Sequence, residues 1–284
     1  MATLRPIPFT EPLAERLLAG PGNCLSLYWL GQAGFVIDAH GRRVVIDPYL
    51  SDSLAAKYRA TAFSHERMMP APVTPDQLGP VDLVLCTHHH TDHMDGETLA
   101  ALASRLPDLK FVVPAAARDL AMQRIGVGED RLIEVDAGAR LRLDGLALHV
   151  TRAAHEALER DEAGRHRFLG YGMDFGGLRI FHSGDTIPFE GQDEEVKAFA
   201  PDLALLPVNG RSEALKAAGF AGNLTLAEAM AFAARCEAGA MIAHHHGMFA
   251  FNTIAAGEID AAQPPAPLRL ERARLGTEFR LDDV

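Results

Sequence analysis

Short apolar runs separated by glycine-containing turns open the chain. β-Forming residues occupy positions 25–30, 34–38 and 43–47, and their close spacing predicts an antiparallel meander. After a polar, proline-rich stretch over residues 50–80, a strongly apolar run covers residues 81–86. Because this run lacks the alternation of a half-exposed strand, we expect a strand that is buried on both faces.

Helical spacing follows in the middle of the chain. Residues 96–105 carry apolar side chains at the three- and four-residue intervals that predict a helix. A second strand is predicted at residues 110–113, and a second helix at residues 115–125, closed by Gly126. The order of elements after the meander is therefore β-α-β-α.

The second half repeats this alternation. Its best-marked helix begins at Thr225, which forms a capping-box pattern with Glu228 three residues later, and should end near Gly239. The other elements predicted in this half are strands at residues 131–135, 146–152, 170–175, 178–182, 203–207 and 240–243 and a helix at residues 193–200.

The two halves indicate the fold class. No linker-like change of composition divides the 284 residues, so we predict one domain over residues 1–284. Two mixed sheets, each covered on one face by helices, are most economically packed sheet against sheet. The predicted fold is therefore an α/β protein, an αββα sandwich of two mixed β-sheets with helices on the outer faces.

The composition mainly excludes some classes of binding partner and cellular compartment. Lys and Arg number 27 against 38 Asp and Glu, a net charge of −11, which disfavours nucleic acid and anionic membrane surfaces as partners. Cys24, Cys86 and Cys236 lie far apart and suit a reducing compartment rather than a disulfide framework. The amino-terminal segment lacks the unbroken apolar stretch of a signal peptide. We expect a cytoplasmic protein with a small-molecule substrate, and the sequence leaves a homo-oligomer open.

The strongest chemical signal follows the apolar run at residues 81–86. It is an H-x-H-x-D-H pattern made by His88, His90, Asp92 and His93. Residues two apart in an extended segment project to the same side, so His88 and His90 can hold one ion. If the chain then turns, Asp92 and His93 can reach a second ion nearby. Imidazole and carboxylate together favour Zn, Mn or Fe. The alternative is a solvated polar loop, against which four ligand-type residues in six positions count heavily.

Further ligands are expected at the ends of other predicted strands. His155 follows the strand at residues 146–152, Asp185 follows the strand at residues 178–182, and a triplet over residues 244–246 follows the last strand. Each is weak evidence alone, because a histidine or Ser-Gly-Asp after a strand is commonly an ordinary turn residue. Their recurrence at strand ends strengthens the case for a metal site.

Together these motifs resemble the metallo-β-lactamase superfamily, and the resemblance spans most of the chain. It implies the sandwich fold, a site for two divalent ions between the two halves, and hydrolase activity. His245 is chosen from its triplet because His-x-x-Met-Phe matches the closing motif of that family. The implied ligands are His88, His90 and His155 for the first ion, Asp92, His93 and His245 for the second, and Asp185 as a bridge.

Narrower motifs are similar to the L-ascorbate-6-phosphate lactonase-like branch. They are WLGQAGF (29–35), IDPYL (46–50), LPVNG (206–210), GNLTLAEA (222–229) and HHGMFAFNT (245–253). The branch implies a lactonase acting on a small carbohydrate-derived lactone, either phosphorylated or not. A phosphate would need a cation such as Arg211, with Arg165 and Arg167 as alternatives, and Asn209 is a further candidate for substrate binding. One departure is His246, where the branch has a tyrosine.

The mechanism expected of such a site is attack on the substrate by a water that the ions activate. Asp92 is the candidate for orienting that water and for carrying a proton to the leaving group. Asp47, at the end of the third meander strand, is a candidate hydrogen-bond acceptor for a ligand histidine, or equally a simple turn carboxylate. Two other functions stay open: a phosphodiesterase acting on a small phosphodiester, and a metal-binding protein without catalysis.

Overall fold

Two mixed sheets form the centre of the computed structural model, which describes residues 2–283. The strands are β1 (Thr3–Pro8), β2 (Leu25–Gly31), β3 (Gly34–Ala39), β4 (Arg42–Ile46), β5 (Leu83–Leu85), β6 (Lys110–Pro114), β7 (Leu132–Val135), β8 (Arg140–Leu143), β9 (Leu146–Arg152), β10 (Leu169–Phe175), β11 (Leu178–His182), β12 (Leu203–Pro207), β13 (Ala240–His244), β14 (Arg269–Arg272) and β15 (Thr277–Asp282). The helices are α1 (Leu13–Leu18), α2 (Ser53–Lys57), α3 (Gly96–Arg105), α4 (Arg118–Ile125), α5 (Gln192–Phe199), α6 (Glu213–Ala217), α7 (Leu226–Arg235) and α8 (Ala256–Ala261). Three 3-10 turns lie at Pro75–Leu78, Ala115–Ala117 and Glu129–Arg131.

Each sheet is part antiparallel and part parallel. The first has the order β1-β15-β2-β3-β4-β5-β6-β7 and is antiparallel as far as β4, then parallel. The second has the order β14-β13-β12-β11-β10-β9-β8 and is parallel as far as β11, then antiparallel. The two halves therefore share one plan, and the predicted meander is confirmed as β2 to β4.

Three apolar layers hold the elements together. The inner faces of the two sheets pack on each other, with residues such as Phe35 and Tyr171 fully buried between them. A second cluster joins the first sheet to α3 through Leu99 and Leu102, and a third joins the second sheet to α7 through Phe232. Helix, sheet, sheet and helix thus follow in order, and the predicted αββα sandwich is confirmed.

Strand β5 shows why this layering suits the sequence. Leu83 and Leu85 face the cluster between the sheets, whereas Val84 faces the helices. Both faces are buried, as the continuous apolar run predicts. Just beyond the end of the strand, the Thr87 hydroxyl donates a hydrogen bond to a carboxylate instead of packing in the core.

Some predicted boundaries were wrong. The helix expected over residues 115–125 is a 3-10 turn followed by α4, which begins only at Arg118. Helix α7 ends at Arg235, with Cys236 as its C-cap, instead of near Gly239. The sequence analysis also missed β1, β8, β14 and β15, whose partners lie far away in the chain or whose faces are only partly buried.

The direction of the strands prepares the functional site. Within the first sheet, β2, β4 and β5 run the same way, and within the second sheet β9, β11, β12 and β13 do. Residues that follow these strands therefore gather at one edge of each sheet. Over residues 2–283, every helix is too short or too polar to cross a bilayer.

Candidate metal centre

Seven ligand-type side chains meet beyond the ends of strands that come from both sheets. His88, His90, Asp92 and His93 follow β5 in the first sheet, whereas His155, Asp185 and His245 follow β9, β11 and β13 in the second. They form three overlapping groups in which one atom from each side chain lies within 4.8 Å of the others. The groups are His88, His90 and His155; His88, His93 and Asp185; and Asp92, His93 and His245.

Asp185 lies between the contributions of the two sheets. Its Oδ1 is 3.3 Å from Nε2 of His93, and its Oδ2 is 3.4 Å from Nε2 of His155 and 3.2 Å from Nε2 of His245. One carboxylate therefore reaches histidines that belong to all three groups, an arrangement suited to bridging two ions.

Buried polar atoms test whether these residues fit a metal. Nε2 of His88, Nε2 of His93 and Oδ1 of Asp185 are shielded from solvent and have no hydrogen-bond partner. An unsatisfied buried polar atom is costly, so native proteins pair such atoms with something. Three of them facing one another with lone pairs fit a divalent cation, and the mixture of nitrogen and oxygen donors fits Zn, Mn or Fe.

Hydrogen bonds on the far side of the imidazoles hold the ligand atoms in place. Nδ1 of His93 lies 2.7 Å from Oδ2 of Asp47, and Nδ1 of His155 lies 3.0 Å from the carbonyl oxygen of Gly222. The Thr87 hydroxyl donates its hydrogen to Asp47 at 2.6 Å. Its oxygen lone pairs can therefore accept a hydrogen bond from Nδ1 of His88 at 3.1 Å. In each case a proton on Nδ1 leaves the Nε2 lone pair directed into the cluster.

The electrostatics of the cluster disfavour positive charge on His88 and His90 and favour it at His93. Burial lowers the pKa of His88 well below the usual value, and burial with the neighbouring His155 lowers the pKa of His90 to about 3. Burial would also lower the pKa of His93, but Asp185, Asp47 and the nearby Asp92 outweigh it and raise that pKa well above the usual range. The carboxylates thus attract a cation to the position that His93 faces.

Gln32 contacts the same cluster from the end of β2. Its side-chain nitrogen donates to Oδ2 of Asp92 at 2.8 Å and lies 3.1 Å from Nε2 of His245. Its backbone is held in the left-handed region, with φ of 50°, because its carbonyl accepts from the Trp29 indole and from the backbone amide of His245. Gln32 is therefore a fixed contact of the Asp92, His93 and His245 group.

A cavity of about 330 Å³ adjoins the ligand set. Asp92, His155, Asp185 and His245 form part of its lining, so a molecule in the cavity reaches the ligand atoms. Its other contributors include Gln32, Lys57, Tyr58, His65, Arg124, Phe220, Phe249, Phe251 and Asn252.

Comparison with known proteins identifies the family. The family described as "Beta-lactamase superfamily domain" matches residues 42–246, a range that contains the whole ligand set. The chain belongs to the metallo-β-lactamase superfamily.

Relatives within the superfamily are named as metal-dependent hydrolases. A UPF0173 metal-dependent hydrolase of Saccharolobus solfataricus is 26% identical over 65% of this chain and 72% of its own length. One from Metallosphaera sedula is 31% identical over 64% of this chain and 71% of its own length. Among solved structures, the metallo hydrolase Igni18 of Ignicoccus hospitalis has a TM-score of 0.66 at 19% identity, over 92% of this chain and 99% of that one. The protein stands among the metal-dependent hydrolases of the superfamily, and its resemblance to the lactonase-like branch stays a prediction.

The two predicted substrate-binding residues of this superfamily member do not line the cavity. Both ends of the Arg211 guanidinium contact Glu228 at 2.6 Å, so this side chain is occupied at the start of α7. Asn209 lies behind the cavity wall, where its side-chain nitrogen donates to Oδ1 of Asn252 at 2.9 Å. Of the alternative arginines, Arg165 is paired with Asp161, and Arg167 is also absent from the lining.

Residues that the sequence analysis missed supply most of the cavity. Residues 50–80 contribute Lys57, Tyr58 and His65, and further lining comes from residues 219–221 and from Phe249, Phe251 and Asn252. No local pattern marks these positions as neighbours, because they come from separate loops. One available signal was the concentration of phenylalanines immediately after the His245 motif.

Two runs of three histidines, at residues 88–90 and 244–246, contain members that do not belong to the ligand set, and these have different surroundings. His244 is fully buried and stacks on His182 with ring centroids 4.9 Å apart. His246 stacks on Trp29 at 5.0 Å, and its Nε2 lies 3.1 Å from the carbonyl oxygen of Ala273. His89 lines the cavity without joining a ligand group. Only His245, with φ of 60°, turns from the second triplet toward the cluster.

Proposed function

We propose that the protein hydrolyses a carboxylic ester of a small molecule, with a lactone as the preferred form. The observation that carries this proposal is the set of unpartnered, buried ligand atoms beside a cavity of substrate size. A structural metal site would be closed by its own ligands, whereas a catalytic site keeps a face for water and substrate. A carbohydrate-derived lactone, as the sequence motifs suggest, is one member of this class.

Two divalent ions held by the seven ligands would supply a water of lowered pKa and polarise the scissile carbonyl. Asp92 lines the cavity with one side-chain oxygen fixed by Gln32. That contact orients the carboxylate, which can hold the attacking water and pass a proton to the departing alkoxide. His88 and His93 are fully buried and do not line the cavity, and Asp185 is held among three histidines, so these three would serve as ligands rather than proton carriers.

A phosphodiester is the second candidate substrate, and two cations favour it. Lys57 and Arg124 both line the cavity. Arg124 donates only to the carbonyl oxygens of His89 and Met94, at 2.5 and 3.1 Å, and the Lys57 ammonium lies over the Tyr58 ring at 5.1 Å. Within residues 2–283 neither forms an ion pair with a carboxylate, so both are available to an anionic group.

The test is hydrolysis of a simple γ-lactone and of bis(p-nitrophenyl) phosphate by protein reconstituted with Zn or Mn. The variant His90→Ala should abolish turnover, because it removes a ligand. The variant His149→Ala should not, because His149 lies on β9 outside the ligand set. Metal-dependent turnover of the lactone alone supports the proposal, and turnover of the phosphodiester alone replaces it with the second candidate. Metal binding without turnover of either would leave the non-catalytic alternative.

A further inference from the structure

Six aromatic rings from three separate loops cluster at the cavity. We call them the aromatic wall, which consists of Tyr58, Phe63, His65, Phe220, Phe249 and Phe251. Five of the six line the cavity, Phe63 being the exception. The same cavity is also lined by the polar ligands His90, Asp92 and Asp185, so its lining combines aromatic and metal-ligating groups.

The rings of the wall support one another. Tyr58 stacks on His65 at 4.2 Å between centroids, and Phe251 lies 4.8 Å from His65 and 5.2 Å from Phe220. Phe63 packs behind, 4.9 Å from Phe220. Pairs at these separations are mutually attractive, so the wall keeps its shape although its members come from loops.

The wall is not a closed core. Tyr58, Phe220 and Phe251 stay partly exposed, whereas His65 and Phe249 are buried. Clustered apolar surface that faces solvent in a concave site is unfavourable until something apolar covers it. The surface in question faces the cavity that holds the candidate ligand atoms, where a bound substrate would cover it.

We propose that the aromatic wall is a subsite for an apolar, ring-sized group of the substrate, so that the enzyme selects esters or lactones carrying an aryl or bulky alkyl substituent over sugar-derived ones. This inference rests on the proposed hydrolase function. A hydroxyl-rich sugar placed against the wall would lose hydrogen bonds to water without finding partners on the rings. A phenyl group removes the exposed ring faces from water and gains offset or edge contacts with them.

The test compares γ-butyrolactones that differ only in a phenyl, methyl or hydroxymethyl substituent. For the metal-loaded protein, kcat/KM should be at least tenfold higher for the phenyl lactone than for the hydroxymethyl one. Phe220→Ala should lower kcat/KM for the phenyl lactone about tenfold and leave the methyl lactone nearly unchanged, and Phe220→Leu should restore most of the loss. Phe189→Ala is the matched control, because Phe189 is also partly buried but lies outside the cavity.

Three outcomes would overturn the inference or separate it from the function. Equal kcat/KM for the three lactones, or an equal loss for all three in Phe220→Ala, would mean that the wall only packs the loops. If no lactone is hydrolysed, the proposed function fails. The subsite can then still be tested by ligand binding without turnover. Phenylacetate should then show saturation-transfer NMR contacts with the wild-type protein that acetate lacks and that Phe220→Ala loses. Their absence would refute the subsite as well.

Discussion

At the scale of one residue, Asp47 orients ligands of the candidate metal site without being a ligand itself. It is fully buried, accepts from the backbone amide and hydroxyl of Thr87 and lies against Nδ1 of His93. One carboxylate thereby orients a ligand directly and, through Thr87, the neighbouring His88. Its backbone has φ of 44°, the turn that brings the side chain under the cluster.

Replacing Asp47 with Asn should weaken metal binding without removing a ligand. The amide keeps the shape of the side chain but loses the charge that holds His93, so zinc affinity should fall about 10- to 100-fold. Competition against a chromophoric chelator measures the change. Asp82→Asn is the matched control, because Asp82 also accepts a backbone amide, that of Arg43, but is remote from the ligands. Unchanged affinity in Asp47→Asn would show that the contact is dispensable.

Gln32 should matter to one ion more than to the other. Its amide fixes Asp92 but touches none of His88, His90 and His155. Gln32→Ala should therefore weaken the ion held with Asp92 about tenfold and leave the first ion unchanged. Zinc titration with two resolved binding steps measures this, and an equal loss in both steps would contradict the assignment.

Local spacing explains which site residues could be predicted. His88 and His90 are close in sequence and in space, so their spacing alone predicts a pair of ligands. Gln32 and Phe220 reach the site only through tertiary packing, which a single sequence does not display. Arg211, which follows the LPVNG motif, was a candidate for binding a phosphate, but its guanidinium is paired with Glu228, a residue 17 positions away that the motif does not indicate.

At the scale of an element, the start of α7 combines a helix cap with an ion pair. Thr225 and Glu228 exchange the two hydrogen bonds of a capping box, and Arg211 binds the outer face of the same carboxylate. The pairing with Arg211, against the effect of partial burial and with help from the Thr225 backbone, lowers the pKa of Glu228 to about 2.

This ion pair predicts a pH-dependent contribution to stability. A carboxyl whose pKa is lower in the folded state stabilises the fold fully above its unfolded value of 4.5 and loses that effect as the pH falls toward 2. Glu228→Gln should therefore lower the free energy of unfolding by about 1 kcal/mol at pH 7, since both partners are partly exposed to solvent.

The measurement is urea unfolding of wild type and Glu228→Gln at pH 7 and pH 3. The gap between the two proteins should narrow at the lower pH. Glu97→Gln serves as control, because Glu97 lies in the first turn of α3 without an ion pair. A gap that is the same at both pH values would show that the charge of Glu228 contributes nothing.

Elements with local signals were predicted well, and those that depend on distant partners were not. Helix α3 begins and ends where the leucine spacing places it. By contrast, β1 pairs only with β15, at the other end of the chain, and its prolines weaken any strand signal. The short α2 and α6 carry too little periodicity to be recognised.

At the scale of the molecule, the ligand set joins the two sheets. The first sheet leads to His88, His90, Asp92 and His93, and the second to His155, Asp185 and His245. Ions bound there would link the halves by bonds that the apoprotein lacks. Metal binding should therefore stabilise the whole fold and not only the loops around the site.

Each zinc ion, at 100 times its dissociation constant, should add about 2.7 kcal/mol to the free energy of unfolding, which corresponds to a rise in Tm of roughly 5 °C per ion for a chain of this size. Differential scanning calorimetry with and without zinc measures the shift. In Asp185→Asn the shift should shrink markedly, because the side chain between the two sheets loses its charge. A full shift in that variant would place the stabilising ion elsewhere.

The position of β15 has a consequence for biosynthesis. This strand lies between β1 and β2, both of which a ribosome makes well before it. While a ribosome is still translating the rest of the protein, β2 has an unpaired backbone edge, and such edges invite pairing with other chains. A polypeptide that stops before Thr277 keeps this edge exposed. Once Thr277–Asp282 has been translated, β15 can pair with both β1 and β2 and cover the edge, so the nascent chain is open to mispairing until that segment emerges.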